Sequence, residues 1–179
     1  SPLSLTAVKS DAKCFGSATG SVDLKVEGGT APYKFRWNNS SGTEDLSSLK
    51  AGEYSVEVID SMGCTASLSV TINQPEKLEV SAEVKGTTCK NSADGLIQLN
   101  VRGGIGPYRF IWTGRPDLNS ALANDLKAGT YQVKVTAASG CTQNLTLIVE
   151  PGNCNPVAGE DQFSVDQGGE LTESVAGND

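Results

Sequence analysis

The chain has 179 residues, 37% of them hydrophobic, with twenty glycines, no histidine and a formal net charge of −7. The lack of histidine removes the usual general base, the Ser-His-Asp and Cys-His nucleophile systems and the commonest metal ligand. No segment reaches the roughly 18 apolar residues of a membrane helix, and no basic stripe offers cations to phosphates, so neither a membrane span nor a nucleic-acid partner is expected.

In chain order, Leu3, Leu5 and Ala7 alternate with polar residues, and after the polar stretch Lys9 to Thr19 so do Val22, Leu24 and Val26. These read as two half-buried strands. Gly28-Gly29-Thr30-Ala31-Pro32 marks a tight turn, because glycine accepts positive φ and proline presets φ at one turn position. Tyr33, Phe35 and Trp37 then alternate with Lys34 and Arg36, the period-two pattern of a strand with one face inward. A polar connection from Asn38 to Ser48 has room for one or two short strands, with Leu46 and Leu49 as its anchors. Tyr54, Val56 and Val58 face inward on the next strand. Gly63 turns the chain before Cys64, and Ala66, Leu68, Val70 and Ile72 alternate up to Pro75.

The order then repeats. Gly103-Gly104-Ile105-Gly106-Pro107-Tyr108-Arg109-Phe110-Ile111-Trp112 returns at an offset of 75 from the first copy. It is preceded by strands over Leu78 to Val84 and Leu96 to Val101, and followed by Tyr131, Val133 and Val135, Gly140-Cys141, and Leu145, Leu147 and Val149 before Pro151. Self-similarity of this kind divides the chain into units, here 1–75, 76–151 and a segment 152–179. Six or seven short strands per unit, with turns between them and no helical periodicity, predict an all-β fold of tandem sandwiches. The acid is concentrated in the last segment, which has no basic residue and six acidic ones. It reads as an extension or as the start of a third domain. The joint Asn73 to Lys77 is short and contains proline, which predicts a semi-rigid tandem.

Cys14 and Cys64 stand 50 apart, and Cys89 and Cys141 stand 52 apart, at equivalent places in the two units. Equivalent positions imply one job, and a loop of this size closed by a disulfide stabilises a small core by about 4 kcal/mol in the chain-entropy model. One bridge within each unit, Cys14 to Cys64 and Cys89 to Cys141, is therefore the expectation, with an oxidising compartment to match. Inert buried thiols are the bland alternative, and zinc is disfavoured because no C-x-x-C pair exists. An even number of intervening strands would place both cysteines of a unit at one end of the sandwich, and an odd number at opposite ends. Cys154 is left over: free, part of a further domain, or paired with another molecule.

The aromatic set Tyr33, Phe35, Trp37, Tyr108, Phe110 and Trp112 reads as core rather than as a sugar platform, because it lies on the inward face, with each tryptophan placed to pack on a disulfide. Asp161, Asp166 and Asp179, with Asn178, are candidate calcium ligands in the acidic tail, although no D-x-[DN]-x-[DN]-G loop is present. No other cofactor is expected. Asn91 to Gly95 aligns with Gly16 to Gly20, which carries no carboxylate, and reads as a turn. Arg115, Asp117 and Asn119 lie in a connection two residues longer than its counterpart. Glu44-Asp45 has no counterpart in the second unit, and no poised acid/base pair or activated nucleophile is evident, so catalysis is not expected.

The order Cys, Gly-Gly-x-x-Pro-Tyr-x-Phe-x-Trp, Leu-Lys-Ala-Gly-x-Tyr-x-Val-x-Val, Gly-Cys-Thr resembles, twice over residues 2–151, the SprB repeat of very large surface adhesins of gliding Bacteroidota. The resemblance implies an immunoglobulin-like or PKD-like sandwich and many tandem copies. It also implies export by type IX secretion, with that machinery as a transient partner, and a cell-surface role in attachment and gliding motility. Asp60 departs from Ala137 at the matching position, and Asp60-Ser61-Met62 is similar to the O-glycosylation acceptor of that phylum. The tail from Ala158 is similar to the opening of bacterial cadherin-like or immunoglobulin-like adhesin domains. The expected role is a stalk or display segment whose partners are adjacent repeats of the same chain. The alternative is a module that binds polysaccharide or protein through its end loops.

Overall fold

Alternation of apolar and polar residues becomes alternation of buried and exposed ones along nearly every strand. The computed structural model describes residues 1–154. Its first unit contains β1 (Ser4–Ser10), β2 (Gly20–Glu27), β3 (Lys34–Trp37), β4 (Leu46–Leu49), β5 (Gly52–Ile59) and β6 (Thr65–Ile72). The second contains β7 (Glu79–Lys85), β8 (Gly95–Arg102), β9 (Arg109–Trp112), β10 (Leu122–Leu126), β11 (Gly129–Thr136) and β12 (Thr142–Val149). Among the described residues there is no helix.

Each unit is a pair of three-stranded antiparallel sheets, β1-β2-β4 on β3-β5-β6 in the first and β7-β8-β10 on β9-β11-β12 in the second. No strand of one unit pairs with a strand of the other. Lettered in order A, B, C, E, F, G, the strands form ABE and CFG sheets, the immunoglobulin arrangement without strand D. The expected immunoglobulin-like sandwich is present twice. The Tyr54 hydroxyl at the start of the F strand donates to the carbonyl of Lys50 at 3.0 Å, and that of Tyr131 donates to Lys127 at 2.9 Å. This is the tyrosine corner of that fold.

The cores are separate. Val22, Leu24, Trp37, Leu46, Leu49, Val56, Val58 and Ile72 close the first, and Ile97, Leu99, Trp112, Ala123, Leu126, Val133, Val135 and Val149 the second. Trp37 and Trp112 are buried, and each indole N–H donates to a carbonyl of the following connection, Thr43 at 2.8 Å and Ser120 at 3.1 Å. Tyr33, Phe35, Tyr108 and Phe110 are half-buried against the same clusters. The packing of tryptophan on a disulfide is not found: Val56 and Val133 stand two residues after the corner tyrosine, where the immunoglobulin fold carries its second bridge cysteine.

The connection that takes the place of strand D carries no strand and crosses from one sheet to the other, with a direct consequence for direction. β3 runs antiparallel to β5 and β4 runs antiparallel to β2. β2 and β5 both run from the Leu49–Gly52 end toward the Gly29–Asp60 end, so β3 and β4 run the same way. In both units the first strand starts and the last strand ends at opposite ends of the sandwich, called lower and upper here. β4 also carries a bulge against β2, with Ser48 at φ 55°, and β10 repeats it with Asp125 at φ 53°.

Ile97 is fully buried at the centre of the second core. Its replacement by alanine is expected to destabilise that unit by about 2–5 kcal/mol, read as a lower denaturant midpoint; a loss under about 1 kcal/mol would contradict a packed second core.

Candidate functional site at the joint between the sandwiches

Among the described residues, chemistry-bearing side chains converge where the upper end of the first sandwich meets the lower end of the second. The upper loop, Asp11 to Thr19, is held by local hydrogen bonds. The Cys14 amide donates to the Ser17 hydroxyl at 3.1 Å, that hydroxyl donates back to the Cys14 carbonyl at 2.9 Å, and the Lys13 amide donates to Thr19 Oγ1 at 2.8 Å. The outgoing chain is sewn to this loop: Ala12 N donates to Asn73 O at 2.9 Å, Asn73 N to Asp11 Oδ1 at 2.8 Å, and Gly16 N to the Gln74 side chain at 2.6 Å. The Lys9 ammonium and the Asn73 amide hold the Asp11 carboxyl below its ordinary range.

The second unit repeats the loop with a carboxylate in place of the threonine. Cys89 N donates to Ser92 Oγ at 3.1 Å, and Thr88 N donates to Asp94 at 3.0 Å. Hydrogen bonds from the Ser92 and Thr88 hydroxyls and the Thr88 amide lower the Asp94 pKa to about 2. Asn91 to Gly95 is thus a turn, as read from its alignment with Gly16 to Gly20.

The lower end of each unit is built from the repeated Gly-Gly motif. Gly28, Gly29, Gly103 and Gly104 all have φ between 64° and 72°, the left-handed region where only glycine is at ease. The tyrosine after the proline clamps this turn: Tyr33 donates to the Gly28 carbonyl at 2.7 Å and Tyr108 to Gly103 at 2.8 Å. The Ala31-Pro32 and Gly106-Pro107 bonds are cis. The incoming chain lies directly on the glycines, with Gly29 N donating to Ser1 O at 3.1 Å and Gly104 N to Glu76 O at 2.8 Å. A Cβ on Gly103 would collide with the carbonyl of Lys77.

A second turn completes the lower end. Gly140 N donates to Ala137 O at 2.9 Å and Ala137 N to Cys141 O at 2.8 Å, and the first unit matches this at 3.1 and 3.0 Å with Gly63, Asp60 and Cys64. Asp60 is buried, which alone would raise its pKa, but the amides of Cys64, Thr30, Met62 and Gly63 outweigh this and lower it. Its carboxylate accepts from Cys64 N at 2.7 Å and from Met62 and Thr30 N at 3.0 Å. Asp60 therefore caps its own turn, a task that the buried methyl of Ala137 does without.

The expected bridges within units are overturned. Cys14 is bonded to Cys141 across the joint, with Cα atoms 5.7 Å apart, and Cys89 to Cys154, with Cα atoms 4.9 Å apart, leaving Cys64 as an exposed free thiol. The even strand count between Cys14 and Cys64 misleads because β3 and β4 run the same way, so the two cysteines lie at opposite ends of their sandwich. Opposite ends of successive units are the ones that meet. Cys141 Sγ lies 3.2 Å from the Lys13 carbonyl oxygen. A cleft of 1320 Å³ beside the bridge is lined by Phe15, Lys77, Glu79 and Arg102, among others. Cys154 is placed by Gly152, whose amide donates to Thr87 Oγ1 at 3.1 Å.

The remaining candidates stay apart from this joint. Arg115 forms an ion pair with Asp117 at 2.8 Å within its own connection, and Asp45 of Glu44-Asp45 accepts from Leu24 N at 3.0 Å. Asp161, Asp166, Asn178 and Asp179 lie outside the described residues, as does the candidate third domain beyond Cys154.

Residues 6–42 and 81–115 each match the family model described as SprB repeat, one segment in each sandwich. No curated protein matches the sequence. Among solved structures, the three N-terminal domains of the outer capsid protein Hoc of bacteriophage RB49 are 15% identical with a TM-score of 0.43, covering 82% of this chain and 58% of that one. A C-terminal 282-residue intimin fragment, solved with the intimin-binding domain of the translocated intimin receptor, is 17% identical with a TM-score of 0.47, covering 84% of this chain and 64% of that one. The N-terminal eight immunoglobulin domains of Down syndrome cell adhesion molecule are 9% identical with a TM-score of 0.41, covering 83% and 24%. The chain thus spans less than two thirds of each of these neighbours. No helix among the described residues is long and apolar enough to cross a membrane. The repeat match and the two disulfides describe an extracellular repeat module.

Gly103→Ala is expected to cost about 1–3 kcal/mol from its positive φ alone, with more from the contact with Lys77; an unchanged denaturant midpoint would show that the incoming chain does not bear on the turn. The Asp94 pKa of about 2 lies below the ordinary 3.8. Its contribution to stability is therefore present above about pH 4 and lost as pH falls through 2. Asp94→Asn should flatten the pH dependence of the denaturant midpoint across that window, and an identical profile would remove the carboxylate from the loop.

Proposed function

With an SprB-repeat match in each sandwich as the premise, we propose that the chain is a load-bearing stalk or display segment of a large extracellular adhesin. In this reading it is exported by type IX secretion and serves surface attachment and gliding motility at the cell surface. The observation that carries the reading is the Cys14–Cys141 bond, which fastens the upper end of one module to the lower end of the next.

The bond changes the path that tension takes. A pull applied at Ser1 and beyond Cys154 reaches Cys14, crosses the sulfur atoms to Cys141 and leaves along the last strand, so the intervening chain bears no covalent load. That closed loop spans 127 peptide steps and holds most of both cores. In the chain-entropy model a loop of this length stabilises the folded state by about 5 kcal/mol. A module of this kind keeps its length under load while binding elements elsewhere in the protein act at a distance and together.

Single-molecule stretching between the two termini tests this. The 127 steps in the loop, at about 3.5 Å each, should withhold about 440 Å of contour in oxidising buffer and release it on reduction. Equal contour lengths in the two buffers would overturn the load-bearing reading.

A further inference from the structure

Cys64 is the only one of the five cysteines without a sulfur partner, and its thiol is exposed. Its surroundings reproduce those of Cys141, which is bonded. Gly63 has φ 84° where Gly140 has 89°. Ser61 N donates to Thr30 O at 2.9 Å where Ala138 N donates to Ile105 O at 2.8 Å. The Gly28-Gly29 turn beside it receives Ser1 as the Gly103-Gly104 turn receives Glu76. Asp60 holds the Cys64 amide at 2.7 Å, an additional fastening that the second unit lacks. The lower end of the first sandwich is therefore built like the surface that, one unit later, accepts the upper-loop cysteine of its neighbour.

We infer that Cys64 is an inter-unit bridging site: it forms a disulfide with the cysteine corresponding to Cys14 in a further unit of this fold stacked on the lower end of the first sandwich. The inference rests on the clasped-tandem reading above. Two thiols give up two protons and two electrons as the S–S bond forms, and an oxidised disulfide such as oxidised glutathione takes them up by exchange, becoming two thiols.

The test places a second copy of residues 1–75 ahead of Ser1 in the full chain, which preserves the natural offset of 75 between units. In the added copy, the exposed Asp23→Glu and Glu53→Asp changes mark its peptides by mass. The protein is oxidised in a glutathione buffer, its remaining thiols are alkylated, and the bridges are mapped by mass spectrometry without reduction. The expected result is a bridge from the marked Cys14 to the unmarked Cys64, with alkylation of Cys64 falling from complete in the natural chain to near zero. In a companion variant carrying Cys64→Ser in the original unit, the marked Cys14 should instead be alkylated; if it stays protected, its partner lies elsewhere and the inference fails. An alkylated Cys64 beside an intact Cys14–Cys141 bridge overturns this inference alone. Loss of the Cys14–Cys141 bridge itself overturns the tandem reading with it.

Discussion

Strand direction is the constraint on which the rest depends. Antiparallel pairing of β3 with β5 and of β4 with β2, across a connection that replaces one strand, sends two consecutive strands the same way. Six strands then enter at one end of the sandwich and leave at the other, so copies join head to tail without a long return. The same geometry separates Cys14 from Cys64 by the length of a domain and brings Cys14 beside Cys141. A seventh strand in the missing position would run back along the sandwich as this connection does, and β4 would keep its direction, because that is fixed by its pairing with β2.

The Gly-Gly-x-x-Pro-Tyr motif serves the same joint from the other side. Its glycines are needed because the incoming chain is hydrogen-bonded onto a turn that already requires positive φ at two successive positions. Its tyrosine is needed because the hydroxyl holds that turn closed from the strand beyond. A motif that looks like a turn followed by a core strand is also a seat for the neighbouring module. Polar side chains around the two cysteine loops work to the same end: Asp11, Gln74, Asp94 and Thr87 all accept main-chain hydrogen bonds that hold a loop or the chain leaving the sandwich. Their geometry is that of a fastening.

The division of labour between core and joint explains why the two copies differ where they do. Positions on the inward face keep their character from copy to copy, Val56 with Val133 and Ile72 with Val149, because each sandwich closes around its own cluster. Asp60 and Ala137 differ, since one turn is capped by a carboxylate and the other fills the same space with a methyl group. The connection after Trp112 carries two more residues than its counterpart, and the added length is taken up by the Arg115–Asp117 ion pair and by Leu118 packing on the core.

The sequence by itself determined the repeat, the strands and the inward faces, since period-two alternation and the glycine and proline signals are local and act within a few residues. Trp37 and Trp112 were legible as core for that reason. The bridges were not. Equivalent spacing says that two cysteines in each copy share a task, but which sulfur meets which depends on strand direction and on the stacking of one unit on the next. Only the tertiary structure decided that, because a disulfide forms between atoms a few ångströms apart, and that distance is set by how whole sheets run rather than by where residues fall along the chain.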